Sequence, residues 1–137
     1  MEELYKLAKE QGYISPNGER ISSSLFDDEY ERKKEILSIH SWLMSKGYCP
    51  LVGGVKKNSN FGLQWTIEFY ELCKWSSHDN EENWHNCGFK FALGTYEDAM
   101  IDALTNAIIT MKRKNEDPDY LVKALAKTKF VQPDIND

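Results

Sequence analysis

The chain has 137 residues, with 17 Lys and Arg against 22 Asp and Glu, a net charge of −5. That length suits one domain burying roughly 65–70% of its unfolded surface, and a composition 41% hydrophobic and 28% charged excludes global disorder. The acidic balance argues against a general binder of nucleic acid or anionic membrane, whose affinity rests on clustered Lys and Arg.

No apolar run approaches the ~20 residues of a membrane span. The opening MEELYKLAKE lacks the apolar stretch of a signal peptide, and three cysteines make no even disulfide framework. The expected location is the cytoplasm.

In chain order, Glu2 to Gln11 reads as a short helix with Leu4, Leu7 and Ala8 inward, stopped by Gly12. A helix of that length is unstable alone, so it must dock on the body or fray. Ser15-Pro16-Asn17-Gly18 is a turn between Tyr13-Ile14 and Arg20-Ile21. Ser22, Ser23 and Ser24 offer caps for a helix over Asp27 to Lys46, whose apolar stripe is Ile36, Leu37, Ile39, His40, Leu43 and Met44. Gly47 ends it. Pro50 to Lys57 reads as a strand weakened by Gly53-Gly54, hence an edge or bulged strand. Asn58-Ser59-Asn60 turns the chain into the next one.

That next strand is the clearest in the chain. Leu63, Trp65, Ile67 and Phe69 alternate with Gln64, Thr66, Glu68 and Tyr70, the period of two that gives one apolar face. Glu71 and Leu72 shift the parity, predicting a bulge or strand end. A polar connection from Trp75 to Asn86 follows, then a short strand in which Phe89, Phe91 and Leu93 face one way and Lys90 and Ala92 the other. Trp65, Phe89 and Phe91 are read as core.

Gly94 breaks this strand, and Thr95 is the N-cap of a long helix with Asp98 three residues on, a capping-box variant. Tyr96, Met100, Ala103, Leu104, Ala107, Ile108 and Met111 share its apolar face, and Ala99, Ala103 and Ala107 allow close approach to a sheet. Asp117-Pro118 starts a last short helix with Tyr120, Leu121 and Leu125 inward; residues 128–137 read as a loose tail. The whole is one α+β domain over 1–137, a three-stranded antiparallel meander packed against helices in the order α-α-β-β-β-α-α.

The chemistry is sparse. Cys73, His78, His85 and Cys87 could in principle form a tetrahedral zinc site, but their spacing is not that of a finger or ribbon, and the favoured reading is a solvated loop with no cofactor. His40 lies in an apolar stripe, where a core histidine is the ordinary case. Glu68 and Glu71 point to opposite faces and make no acid/base pair. No nucleophile elbow, phosphate loop or dinucleotide fingerprint occurs, so the chain is read as non-enzymatic. Tyr70, Trp75 and Trp84 lie on the polar face or in the loop and are candidates for an interaction surface, because exposed Trp and Tyr mark interfaces more often than catalysis. Their alternative is local packing under the loop, weighted equally. An electropositive stripe of Lys56, Lys57, Lys74 and Lys90 would instead favour nucleic acid.

Three resemblances sit beside this reading. The order helix–three strands–helix, with Gly94-Thr95-Tyr96-Glu97-Asp98-Ala99 opening the last helix, resembles double-stranded-RNA-binding domains. In that family the helix start carries phosphate-contacting lysines; Glu97 and Asp98 stand there in this chain, which disfavours RNA. The same Thr-x-Glu-Asp-Ala segment resembles HicB-type antitoxins, although their proline-containing strand-end motif is missing. Residues 4 to 112 together look most like small uncharacterised proteins of bacteriophages and prophages, through Leu4 to Gly12, a helix ending near Trp42-Leu43, an aromatic meander and Thr95 to Ala99. That resemblance implies no particular activity and favours an accessory or host-interacting role over metabolism; the aromatic hairpin, the acidic balance and the missing catalytic set point to a protein partner. The sequence leaves an antitoxin-like or nucleic-acid-associated regulator as the alternative and a zinc-dependent enzyme third. Partner identity and oligomeric state stay open.

Overall fold

A computed structural model describes residues 1–18, 27–58, 62–73, 83–117 and 119 of the chain. The elements in order are α1 (Glu2–Glu10), α2 (Glu29–Ser45), β1 (Tyr48–Asn58), β2 (Gly62–Cys73), β3 (Asn83–Leu93) and α3 (Tyr96–Glu116). The strands form an antiparallel sheet in the order β1-β2-β3. The α+β class and the meander are as expected, with three helices among the described residues. The short helix expected after Asp117 lies outside them.

α3 is the element the others pack on. Thr95 accepts from the Asp98 N–H at 3.1 Å while the Asp98 carboxylate accepts from the Thr95 N–H at 3.0 Å, so two otherwise unpaired amide donors are satisfied. Glu97 and Asp98 in the first turn and Arg113 and Lys114 in the last oppose the helix dipole. Its buried face carries Ala99, Ala103, Leu104, Ala107, Ile108, Thr110 and Met111. Tyr96 is half exposed instead, with its ring against Trp65 at 5.3 Å. Thr110 is tolerated inside because its hydroxyl donates to the Asn106 carbonyl at 3.0 Å.

Two apolar clusters meet on this helix. In the larger, Leu104, Ala107, Ile108 and Met111 pack with Leu4, Tyr5 and Ala8 of α1, Ile36, Ile39 and Leu43 of α2, and Tyr48. Tertiary packing therefore holds α1 down, which nine residues could not do alone. In the smaller, Ala99 and Ala103 lie over Ile67 and Ala92, flanked by Val52 and Trp65.

α2 starts at Glu29, capped by Asp28, whose side chain accepts from the Glu31 N–H at 3.1 Å, rather than by the serines upstream. Two members of its expected apolar stripe are outside: Leu37 is 68% exposed and Met44 37%. Glu35 takes their place inside. Its carboxylate is fully buried and accepts from the Tyr13 hydroxyl at 2.7 Å, the Ser15 hydroxyl and the Asn17 amide at 3.3 Å. A buried charge needs such partners, and these tie the turn after α1 to α2. Burial, then the Glu35 carboxylate, pushes the Tyr13 phenol above the ordinary tyrosine range.

Candidate interaction face

The register of the sheet decides what its two faces carry. β1 pairs Pro50 with Phe69 and Val52 with Ile67, and β2 pairs Ile67 with Lys90 and Trp65 with Ala92. Ile67 is fully buried beneath α3, so these pairs lie on the inner face. The other parity places Leu51 opposite Glu68 and Glu68 opposite Phe89, with Thr66 opposite Phe91 and Gln64 opposite Leu93. Phe89 and Phe91 are therefore not core. Each is 56% exposed, Leu93 is 50% and Leu51 46%. The physical reason is the helix above the inner face. Ala99 and Ala103 approach the sheet where β3 offers Ala92, and a phenyl ring there would lift α3 off Ile67.

Two bulges complete the face. β3 gains one residue at Cys87, between the pairs Phe69–Gly88 and Tyr70–Asn86. β2 keeps its parity throughout; the shift expected at Glu71 and Leu72 falls on β3 instead, and β2 runs on to Cys73. The extra residue flips the β3 alternation, so Trp84, opposite Leu72, shares the outer face with Phe89 and Phe91. Gly88 sits at the bulge beneath the Phe69 ring, which would collide with any Cβ there. On β1 the ladder shifts between Gly53 and Lys56. Gly54 has φ +58 with Thr66 hard against it, and the Thr66 hydroxyl donates to the Gly53 carbonyl at 2.6 Å. The bulge leaves a shallow concavity of about 440 Å³ beside Leu51, Gly53, Thr66 and Glu68.

The assembled face has a polar centre and apolar margins. Gln64, Thr66, Glu68 and Tyr70 run down β2, with Leu51 on one side. On the other stand Phe89 and Phe91, their rings edge to face with centroids 5.2 Å apart, then Leu93 and Trp84. The Tyr70 hydroxyl donates to Glu68 at 2.8 Å, and that bond raises its pKa. Cys49 lies opposite Tyr70, and burial pushes its thiol up, away from the thiolate a nucleophile needs.

Of the residues singled out by sequence, Tyr70 and Trp84 meet on this face, Tyr70 half-buried and Trp84 41% exposed. Trp84, His85 and Asn86 belong to β3 rather than to the loop. Trp75 and His78 lie outside the described residues. The backbones of Cys73, His85 and Cys87 lie in β2 and β3, and their side chains are likewise outside the description. Glu68 and Glu71 point to opposite faces as expected: Glu71 is buried on the inner face and pairs with Lys114, whose pKa burial lowers. Among the described residues the lysine stripe does not assemble. Lys90 stands on the inner side with its ammonium 3.0 Å from Asp102, Lys56 and Lys57 are successive strand residues with opposite directions, and Lys74 lies outside the described residues.

Sequence reasoning missed Phe89, Phe91, Leu93 and Leu51 as surface residues. The available signal was β3 itself, whose other parity holds Lys90 beside the small residues Gly88 and Ala92. No described helix is long and apolar enough to cross a membrane. No protein-family model, curated protein or solved structure matches the chain.

Proposed function

We propose that the protein is a small, non-enzymatic interaction module that engages a protein partner through the outer face of its sheet. The reading extends to an accessory, host-interacting protein of phage or prophage type acting in the cytoplasm. The observation that carries it is the Phe89–Phe91 ring pair, more than half exposed and flanked by Leu51, Leu93 and Trp84. Aromatic side chains presented at this density are what protein interfaces use as anchors, and leaving such a patch in water has no structural return. The polar strip of Thr66, Glu68 and Tyr70 supplies orientation and hydrogen bonding.

The test is affinity capture from a host-type lysate, with and without nuclease, comparing the native chain with a Phe89→Ala/Phe91→Ala variant. A specific protein recovered in both nuclease arms by the native chain and lost by the variant is the expected result. Capture that survives the double substitution sinks the face, and capture abolished by nuclease moves the reading to the nucleic-acid alternative.

A further inference from the structure

The sheet has two edges, and they are built differently. In an antiparallel pair, residues whose N–H and C=O point toward the neighbouring strand alternate with residues whose groups point away. The Leu72 N–H donates to the Gly47 carbonyl at 2.8 Å, so Cys49, Leu51 and Gly53 face β2 while Tyr48, Pro50 and Val52 turn outward. Pro50 has no N–H to offer there, and the bulge at Gly53 and Gly54 breaks the line further. Proline and bulges are what blunt an edge strand. β1 is closed.

β3 is open. The Gly94 N–H donates to the Leu63 carbonyl at 3.2 Å, which sets Lys90 and Ala92 toward β2 and turns the N–H and C=O groups of Phe89, Phe91 and Leu93 to the free edge. Among the described residues no strand pairs with that edge. The stretch holds no proline and no bulge. Its one charge, Lys90, points to the inner face and is held by Asp102. The three residues that expose backbone groups are thus the same three that expose apolar side chains.

We propose that this edge pairs antiparallel with the same edge of a second copy, about a two-fold axis at Phe91, making one continuous six-stranded sheet. It rests on the reading of the outer face as an interaction surface. The register follows from the residues. With the axis at Phe91, Phe91 meets its own copy, Phe89 meets Leu93 of the second copy, and Lys90 meets Ala92 of the second copy. Six apolar side chains then form an unbroken stripe on the outer face. Moving the axis to Lys90 also lets edge-facing residues pair, but it sets two lysines directly opposite, which is destabilising. The segment Phe-Lys-Phe-Ala-Leu is self-complementary about its centre, which is why the occupant is a copy rather than an unlike strand. So small a contact lies below the about 1,200 Å² of a standard interface, and the association is concentration-dependent.

Sedimentation velocity of the full chain over a concentration series tests this, alongside Phe89→Glu, Leu93→Lys and the two combined. Both positions are at least half exposed, and circular dichroism checks the fold of each variant. The native chain should pass from monomer to dimer, with each single charge weakening dimerisation at least tenfold. The combined variant should regain most of the loss, because Glu at 89 faces Lys at 93 of the copy. In the native chain the amides of Phe89, Phe91 and Leu93 should also exchange more slowly as concentration rises, while those of Lys90 and Ala92 stay protected throughout. A monomer at every concentration, a dimer indifferent to the single charges, or no rescue in the combined variant overturns the pairing. A monomer that still captures a partner through Phe89 and Phe91 overturns it while leaving the proposed function in place.

Discussion

Replacing Phe91 by alanine asks directly whether β3 turns its aromatic side to solvent. Full burial of a phenylalanine side chain is worth about 1.5–3 kcal/mol. With Phe91 56% exposed, a little under half of that, about 1 kcal/mol, is at stake. The edge-to-face contact with Phe89 adds about 0.5 kcal/mol, and the weaker strand preference of alanine a few tenths more. The expected cost is about 1.5–2 kcal/mol in all. Ile67 is the comparison. It is fully buried under Ala99 and Ala103, and Ile67→Ala should cost about 3–4 kcal/mol, transfer and cavity together. Against a total stability of about 5–15 kcal/mol, the first change leaves a folded protein and the second a marginal one. Urea denaturation of both variants at low protein concentration gives the two values with a common slope. If Phe91→Ala costs as much as Ile67→Ala, the ring is buried and the β3 register described above is refuted.

Two further outcomes follow from the interior. Folding keeps the Tyr13 proton that the unfolded chain releases near pH 10, so this contribution is whole below that pH and is lost progressively as pH rises from there through the raised folded value. Tyr13→Phe should cost about 1–2 kcal/mol at neutral pH, since Glu35 loses a donor, yet the variant should lose less stability than the native chain on the alkaline side. Equal alkaline losses, followed by far-ultraviolet circular dichroism, would contradict the Tyr13–Glu35 account. Thr95→Ala removes the cap of α3 and should lower stability by about 1 kcal/mol; a thermal melt unchanged from the native chain would show that the cap contributes nothing.

Much of the architecture was legible because its causes are local. The capping box of Thr95 and Asp98, the alanine-lined face of α3, the alternation of β2 and the glycine bulge of β1 each follow from a few neighbouring residues. The candidate site is legible only in part: the strand pattern sets Tyr70 and Trp84 apart from the core, but it turns the phenylalanines that dominate the face inward. Strand alternation says which side chains go together, not which group faces inward. On β3 the apolar group is Phe89, Phe91 and Leu93, and hydrophobicity alone turns it inside. The sheet turns it outside because register with β2 sets these residues opposite Gln64, Thr66 and Glu68, and because Ala99 and Ala103 leave room beneath α3 only for Ala92. Likewise the α2 pattern put Leu37 and Met44 inside and left Glu35 out of the core, since no local signal announces that Tyr13, Ser15 and Asn17 will arrive to satisfy a buried carboxylate. The sequence by itself determined the order of the helices and strands, the capping box of α3 and the period of β2. Tertiary structure decided which face of β3 meets water, because that choice depends on the space left by a helix and the register of a neighbouring strand, both distant in the chain.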